Sequence, residues 1–271
     1  MHATKTAGPR VVDWRWFGLI LAALSAIFSP AAAADDLCGA TIVADLELDH
    51  DLSCPVSGLI VGADGITLDL NGHTIAGPGS GVGILVVGRT DVSILGGTIT
   101  NFQTGVRVAD SSAVVITGNE LSDNTDGVDC QAGCSGSTIN ENEFRDNSVR
   151  AIMLRGGSSD NLIKENTFTG NRVGILVNGS LDSVIKENIV SSSLLADIRI
   201  GPVATGNLIK ENTVSSSPAG IEIVVIAEVW ASGNSVIENT AAANTCGIKG
   251  PLTGNTFAEN VFVGNVTDIC S

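Results

Sequence analysis

The chain has 271 residues, with 29 acidic side chains against 14 basic ones and a formal charge of −15 at neutral pH. Hydrophobic residues make up 44 % of the chain, which supports a large core and excludes an intrinsically disordered polymer. The acidic excess argues against nucleic acid and anionic membranes as partners, because phosphate binding requires many Lys and Arg side chains. It also counts against unaided binding of an acidic polymer. The 32 Gly and 20 Asn residues indicate a turn geometry that recurs along the chain.

The N-terminal segment has the pattern of a secretory signal peptide. Three basic residues precede an apolar run from Phe17 to Phe28, and Pro30 and an Ala-rich stretch follow. The apolar run is shorter than the roughly 20 residues that a membrane-spanning helix needs. We therefore expect residues 1–34 to be cleaved, and residues 35–271 to form one secreted or periplasmic domain without membrane insertion. This domain would hold 28 acidic and 11 basic residues, a formal charge of −17.

The exported part contains all six cysteines of the chain. They are Cys38, Cys54, Cys130, Cys134, Cys246 and Cys270. An even number of cysteines in an exported chain favours disulfides. Fifteen connectivities are formally open, and proximity in the sequence favours Cys38–Cys54, Cys130–Cys134 and Cys246–Cys270.

An internal repeat dominates the second half of the chain. The motif Ile-Lys-Glu-Asn occurs at 163–166, 185–188 and 209–212. Its terminal Asn recurs every 21–27 residues, as Asn119, Asn142, Asn166, Asn188, Asn212, Asn239 and Asn260. A second polar column follows five residues later, as Asn124, Asn147, Asn171, Ser193, Ser217, Asn244 and Asn265. A period of this length is typical of solenoid proteins.

Each repeat contains short runs of β-branched residues separated by Gly, Asn and Ser, and none contains a helical stripe. The leucine-rich-repeat skeleton is absent. We therefore predict an all-β protein, a parallel β-helix of roughly nine coils with two or three strands in each. Equivalent residues would stack about 4.8 Å apart. Ile163, Ile185 and Ile209 would then stack inside the solenoid, and the two Asn columns would form hydrogen-bonded ladders.

Two further columns carry expectations of their own. The glycines Gly105, Gly127, Gly174, Gly220 and Gly247 are expected to occupy turns that need positive φ. Glutamates precede the first Asn column, as Glu141, Glu165, Glu187, Glu211, Glu238 and Glu259. We expect them to form a charged, solvated edge that is neutralised in its middle by Lys164, Lys186 and Lys210.

The opening segments resemble a known family. Cys38-Gly-Ala-Thr-Ile, Asp51-Leu-Ser-Cys54 and the string from Gly65 to Ile75 resemble the entry coils of bacterial right-handed parallel β-helix repeat proteins of the pectin lyase-like superfamily. The resemblance covers residues 38–271 and implies a right-handed parallel β-helix. It does not select an activity, because the superfamily contains lyases, hydrolases, epimerases and proteins without known catalysis.

One segment has the residues of a catalytic site. The string from Asn124 to Asp129 resembles the polygalacturonase signature, in which two carboxylates flank a glycosidic bond, and the resemblance implies a role for Asp126. The next coil departs from that pattern, because Asp146-Asn147 stands where a paired Asp-Asp is expected. No His follows His73.

Pectate lyases, by resemblance, combine acidic calcium ligands with an Arg base. Asp123, Asp126 and Asp129 are therefore candidate calcium ligands. The candidate catalytic residues are Asp126, Asp129, Asp146 and Arg150. The candidate substrate-binding residues are Arg107 and Arg172.

Two functions remain open from the sequence. The favoured one is a secreted or periplasmic surface module that binds a polysaccharide along a strand face. The alternative is a calcium-assisted polysaccharide lyase or a glycoside hydrolase of the pectin lyase-like type. Copper-binding periplasmic β-helix proteins share the fold, but copper requires His, Met or Cys ligands. The exported part has Met153, two separated His residues and cysteines that we expect to be paired, so copper binding is not expected.

Overall fold

The computed structural model describes residues 37–224 and 231–271, and the predicted signal peptide, residues 1–34, lies outside them. Within these residues the chain winds into three parallel sheets that run side by side, which confirms the predicted parallel β-helix. Each coil contributes three strands. Sheets of 11, 10 and 10 strands correspond to ten coils and one final strand, close to the roughly nine coils expected.

Each full coil places one strand in sheet A, one in sheet B and one in sheet C. In chain order the strands are β1 (Thr41–Ile42), β2 (Leu46–Glu47), β3 (Leu52–Ser53), β4 (Leu59–Val61), β5 (Thr67–Asp69), β6 (Thr74–Ala76), β7 (Val82–Val87), β8 (Ser93–Leu95), β9 (Thr98–Thr100), β10 (Thr104–Ala109), β11 (Val115–Thr117), β12 (Glu120–Ser122), β13 (Asp126–Cys130), β14 (Thr138–Asn140), β15 (Glu143–Arg145), β16 (Arg150–Arg155), β17 (Leu162–Lys164), β18 (Thr167–Thr169), β19 (Val173–Asn178), β20 (Val184–Lys186), β21 (Ile189–Ser191), β22 (Ala196–Ile200), β23 (Leu208–Lys210), β24 (Thr213–Ser215), β25 (Ala219–Ile223), β26 (Ser235–Ile237), β27 (Thr240–Ala242), β28 (Cys246–Lys249), β29 (Thr256–Ala258), β30 (Val261–Val263) and β31 (Thr267–Cys270). Sheet A consists of β1 and every third strand after it, sheet B begins at β2, and sheet C begins at β3.

Like residues stack on like residues through the core. Ile163 pairs with Ile185, and Ile185 pairs with Ile209, on successive strands of sheet B. All three isoleucines are fully buried, as predicted. In the three-residue strands of sheet B the central side chain points inward and its neighbours point outward, because strand side chains alternate between faces. In sheet C, Phe144 and Phe168 stack with their ring centroids 4.8 Å apart.

Polar ladders lie at all three corners of the coil, one more than the two predicted. Asn188 shows the pattern: its Nδ2 donates to the Ile163 carbonyl at 3.0 Å, and its Oδ1 accepts the Asn166 backbone N–H at 3.1 Å. The unpredicted ladder, between sheets A and B, consists of Ser137, Asn161, Ser183, Asn207, Asn234 and Asn255. Asn161 and Asn207 begin the repeated Asn-Leu-Ile-Lys-Glu-Asn string, and this repeat is the sequence feature from which the third ladder could have been predicted.

The residue immediately before a ladder residue has positive φ, and at many of these positions it is not glycine. At the corner between sheets B and C this position is held by Glu141, Glu165, Glu187, Glu211, Glu238 and Glu259, with φ of 55–57°. Such a backbone costs an L-residue roughly 1–2 kcal/mol, which the ladder bonds next to it offset. Lys164, Lys186 and Lys210 form ion pairs with this column at 2.8–3.3 Å, as expected.

The prediction that the five glycines supply positive φ is wrong. Gly105, Gly127, Gly174, Gly220 and Gly247 lie in strands of sheet A and do not have positive φ. A Cβ on Gly105 would lie 2.6 Å from the Gly127 carbonyl oxygen, so the close approach of successive coils requires glycine there.

Three disulfides join Cys38 to Cys54, Cys130 to Cys134 and Cys246 to Cys270, the pairs that sequence proximity favours. The last disulfide links β28 to β31, the two final strands of sheet A. Residues 37–224 and 231–271 contain no helix that is long and apolar enough to cross a membrane.

Candidate functional site

The outward face of sheet A carries four of the predicted site residues. The register places Arg107 of β10 beside Asp129 of β13, as the sequence predicts. It also places Asp126 of β13 beside Arg150 of β16. The acidic and basic side chains therefore meet on neighbouring coils of a single sheet.

Asp126 and Arg150 form a bidentate ion pair. Arg150 Nε donates to Oδ1 at 2.6 Å, and Arg150 Nη2 donates to Oδ2 at 2.8 Å. The Asp126 side chain is 11 % exposed. Paired bonds of this kind are among the strongest hydrogen bonds in proteins, so both carboxylate oxygens of Asp126 are engaged.

Asp129 is enclosed more completely, with 3 % of its side chain exposed. Its Oδ2 accepts hydrogen bonds from Arg155 Nη2 at 2.6 Å and from Gln131 Nε2 at 2.7 Å. Arg107 Nε lies 3.7 Å from the same oxygen. Arg155, two residues after Met153 on β16, was not among the predicted site residues. Strand alternation would have placed both side chains on one face.

The remaining predicted residues lie at the corner between sheets C and A. Asp123 and Asp146 occupy equivalent turn positions one residue before the ladder asparagines, with φ of 56° and 54°. Arg172 is exposed at this corner one coil later, and its backbone N–H donates to the Asn147 carbonyl at 3.2 Å. Asp123, Asp146 and Arg172 are thus turn residues beside sheet A, not members of its strands.

A second ion-pair group, which the sequence did not reveal, continues the same column toward the C-terminus. Arg199 Nε lies 2.9 Å from Glu222 Oε2, and Lys249 Nζ lies 2.9 Å from Glu222 Oε1. The apolar Met153 and Leu176 separate this group from the Asp129 group in the register. A cavity of about 140 Å³ lies beside Leu176 and Arg199, bounded also by Asn178 and Pro202.

Cations recur on every second strand of this face. Basic side chains occur in β10, β16, β22 and β28, and outward acidic ones occur in β13 and β25 between them. The cations are 24–48 % exposed, whereas the three carboxylates are 3–11 % exposed. The accessible charge of the strand side chains on this face is therefore positive, although the whole chain carries −15.

The described residues offer little to a metal ion. Across residues 37–224 and 231–271 no group of three or more His, Cys, Asp or Glu side chains is placed to hold one. The six cysteines are in disulfides, and Met153 is 5 % exposed. His50 and His73 contact Asp49 and Asp51 in the first coils, far along the chain from the sheet A groups. Calcium at Asp123, Asp126 and Asp129 stays a prediction.

Solved structures with the same architecture act on or contain carbohydrates. The periplasmic alginate epimerase AlgG superposes with a TM-score of 0.61 at 13 % identity, over 81 % of this chain and 73 % of that one. The tailspike protein of E. coli bacteriophage HK620, in complex with a pentasaccharide, gives 0.63 at 14 % identity, over 84 % of this chain and 53 % of the tailspike. DFA-IIIase from Arthrobacter chlorophenolicus A6 gives 0.59 at 14 % identity, over 77 % and 62 %. At these identities the likeness shows the fold alone.

No curated protein matches the chain. The model of one protein family, described as periplasmic copper-binding protein (NosD), matches residues 63–206 and, in an overlapping second match, residues 156–270. The two matches together span well over half of the chain and run through the strands of all three sheets. The chain therefore belongs to the NosD family of β-helix proteins.

Proposed function

We propose that this protein is an exported, noncatalytic module that binds an acidic polysaccharide along the outward face of sheet A. One observation carries the proposal: every second coil carries a cation, and the carboxylates on the coils between them are covered. Arg107, Arg199 and Lys249 lie in one column of the register, and Arg150 and Arg155 flank that column on β16. Coils are about 4.8 Å apart, so the cations recur at about 9.6 Å along the solenoid axis. Two pyranose units of an extended polysaccharide have a similar length, which lets every second sugar of an acidic polysaccharide meet a cation.

The covered carboxylates would serve to hold the guanidinium groups in place. Asp129 binds Arg155, and Glu222 binds Arg199, so each guanidinium is oriented before a ligand arrives. A guanidinium has five N–H donors, and the free ones are suited to carboxylate groups. Pre-orientation lowers the entropy that binding costs.

Between these cations lies an apolar surface. Leu176 lies on the coil between Arg155 and Arg199, beside the cavity that Asn178 and Pro202 border. The aliphatic face of a pyranose ring can pack on Leu176, while the Asn178 amide offers a donor and an acceptor to ring hydroxyls. This combination of apolar floor and polar rim suits a sugar.

The relatives give independent support for an exported, glycan-associated role. The structural neighbours named above are an alginate epimerase, a tailspike with a bound pentasaccharide and a DFA-III enzyme. The family model describes periplasmic proteins. Three disulfides fit an oxidising compartment outside the cytoplasm.

The same contacts do not favour the enzymatic alternative or copper. Glycoside hydrolysis needs two carboxyl groups that can reach the scissile bond, whereas Asp126 and Asp129 are both held by arginines and largely buried. Copper requires His, Met or Cys ligands. Those side chains, in the part of the chain that the structure describes, are paired in disulfides, buried singly or bound to aspartates, so they do not fit the metal of the family description.

The test is binding of oligogalacturonate, alginate oligosaccharides and neutral dextran oligosaccharides to the mature chain by calorimetry. We expect the acidic oligosaccharides to bind and dextran not to bind, with affinity falling as salt rises. Arg199→Ala should weaken binding about tenfold or more, because a hydrogen bond to a charged group contributes about 1.5–3 kcal/mol.

Arg145→Ala is the matched control, because Arg145 lies on sheet C and pairs there with Glu120 and Glu143. It should bind like the wild type. Equal binding of neutral and acidic oligosaccharides, or an equal loss in the two variants, would refute the site. Release of cleaved product would support the enzymatic alternative instead.

A further inference from the structure

One buried carboxyl group interrupts a column of small residues in sheet A. The register aligns Asp197 of β22 with Gly174 of β19 and with Gly220 of β25. The same position is held by Gly83, Gly105, Gly127, Ala151 and Gly247 on the other coils, and by the exposed Asp268 on the final strand. Asp197 is 0 % exposed, so a side chain that normally ionises lies inside the solenoid.

Small residues are favoured here because the next coil comes close. A Cβ on Gly105 or Gly220 would lie 2.6 or 2.7 Å from the next coil's carbonyl oxygen, and also 3.2 or 2.9 Å from the Nδ2 of a ladder asparagine, Asn124 or Asn244. The ladder residue that follows Asp197 by one coil is Ser217, which is shorter than Asn. Its hydroxyl leaves room for the carboxyl group and donates to Asp197 Oδ1 at 2.5 Å.

The ladder is incomplete at this place. Ser193 and Ser217 are the two serines in an otherwise asparagine column, and neither can supply the Nδ2 donors of an amide. Asp197 Oδ2 and Ser193 Oγ are both buried without a hydrogen-bond partner. A neutral carboxylic acid has one donor and one acceptor, like the part of the amide that is missing, whereas a carboxylate has no donor.

We propose that Asp197 is a proton-controlled substitute for the missing ladder amide. In its protonated form it completes the ladder around β22, and its ionisation loosens this coil. Three residues act together as a compensating set: Ser193, Asp197 and Ser217. The two serines are small enough to leave room for the Asp197 carboxyl group, and this carboxyl group replaces the amides that the serines lack.

The surroundings contain no charge that would stabilise the ionised form. β22 packs against β19, β25, β21 and β24. In those described strands the one ionisable residue is Glu222, which lies outside with Arg199 and Lys249. Burial raises the pKa of Asp197 to about 7, and the hydrogen bond from Ser217 opposes this shift only in part. The proton would therefore be lost near neutral pH.

The first test is amide hydrogen exchange of the mature chain between pH 5 and pH 8.5, with Asp197→Asn as the comparison. Asn keeps the shape of a protonated Asp and cannot ionise. Relative to Asp197→Asn, the β22 and β25 amides of the wild type should exchange faster as the pH rises, by up to about tenfold for each pH unit until pH 7 and by a constant factor above it. Parallel pH profiles in the two proteins would overturn the proposal.

The second test addresses the compensating set. Ser217→Asn alone should lower the thermal midpoint, because the amide would collide with Asp197. Combining it with Asp197→Gly should restore the midpoint, since this pair is the arrangement found in regular coils. Additive losses in the double variant would refute the steric coupling. The coupling between positions 197 and 217 is measured without any glycan. Its result therefore tests this proposal independently of the proposed polysaccharide binding.

Discussion

The Asn ladders make a quantitative prediction about a single buried side chain, Asn188. Its Nδ2 donates to the Ile163 carbonyl, the Lys186 carbonyl and Asn212 Oδ1, at 2.9–3.0 Å. Its Oδ1 accepts the backbone N–H and the Nδ2 of Asn166, at 3.1 and 3.0 Å. Asn188→Ala removes all five contacts and leaves buried partners from two adjacent coils unsatisfied.

The expected loss is about 3–5 kcal/mol. An unsatisfied buried polar group costs about 1–3 kcal/mol. The Asn166 backbone N–H would pay this full cost, because it has no other acceptor within the ladder. The carbonyl groups keep their hydrogen bonds within the sheet, so each of them adds a smaller loss. Such a loss is a large share of the roughly 5–15 kcal/mol that stabilises an ordinary domain, so the variant should unfold at a clearly lower denaturant concentration.

Equilibrium denaturation of the mature chain in urea measures the effect, with Asn140→Ala as the matched control. Asn140 is an outward, partly buried residue of β14. Within the described structure its side chain makes no hydrogen bond, although its backbone carbonyl accepts one from Asn142. The control should change stability by less than about 0.5 kcal/mol. If the two variants unfold at the same midpoint, the ladder is not what stabilises the corner.

Three further predictions concern the core, the C-terminal disulfide and pH. Ile185→Asp buries an unpaired charge and should cost several kcal/mol, seen as loss of the β-sheet circular dichroism signal at a lower temperature; the same change at the exposed Leu194 should cost little. Opening the Cys246–Cys270 bridge, which closes a separation of 24 residues, by Cys270→Ser should lower stability by about 3 kcal/mol in the chain-entropy model. Unchanged stability would mean that the last coil holds without the bridge. The pKa of Asp197 is raised from 3.8 to about 7 in the folded state, so wild-type stability should fall as pH rises from about 4 to 7. Relative to Asp197→Asn this loss should reach about 4 kcal/mol at pH 8 and vanish near pH 4; a constant difference between the two proteins would contradict it.

Calcium at Asp123, Asp126 and Asp129 is a separate prediction. Because Arg150 and Arg155 engage Asp126 and Asp129, Ca²⁺ would have to displace these arginines, so calorimetric titration should show weak binding to the wild type and none to the Asp126→Ala, Asp129→Ala variant. Binding that persists in the double variant would place the ion elsewhere.

The repeated side chains were predictable because a solenoid contacts only its neighbouring coils. When each coil stacks on the next, a residue's partner is its own equivalent one period away, so the spacing of Ile163, Ile185 and Ile209 directly encodes a contact. The third ladder was not predicted, although Asn161 and Asn207 begin the repeated string. Its column mixes serine with asparagine, since a hydroxyl can accept the same backbone N–H.

The glycine column shows where the same reasoning fails. In a single sequence, glycine at a regular position is compatible with positive φ or with a close approach of two backbones. Only the distance from Gly105 to the next coil distinguishes the two. Positive φ is instead adopted by glutamates, whose own preference opposes it, because the adjacent ladder bonds are strong enough to impose it.

The sequence by itself determined the fold class, the period, the stacked core and the local cysteine pairing, since all of these depend on residues one coil apart or less. It also determined that Arg107 and Asp129 share a face. The tertiary structure alone decided which charged groups remain accessible, because ion pairing and burial depend on side-chain directions across several coils. Asp126 and Asp129 are largely covered by arginines, whereas the guanidinium groups above them reach solvent. A sequence that carries −15 therefore presents a positive face.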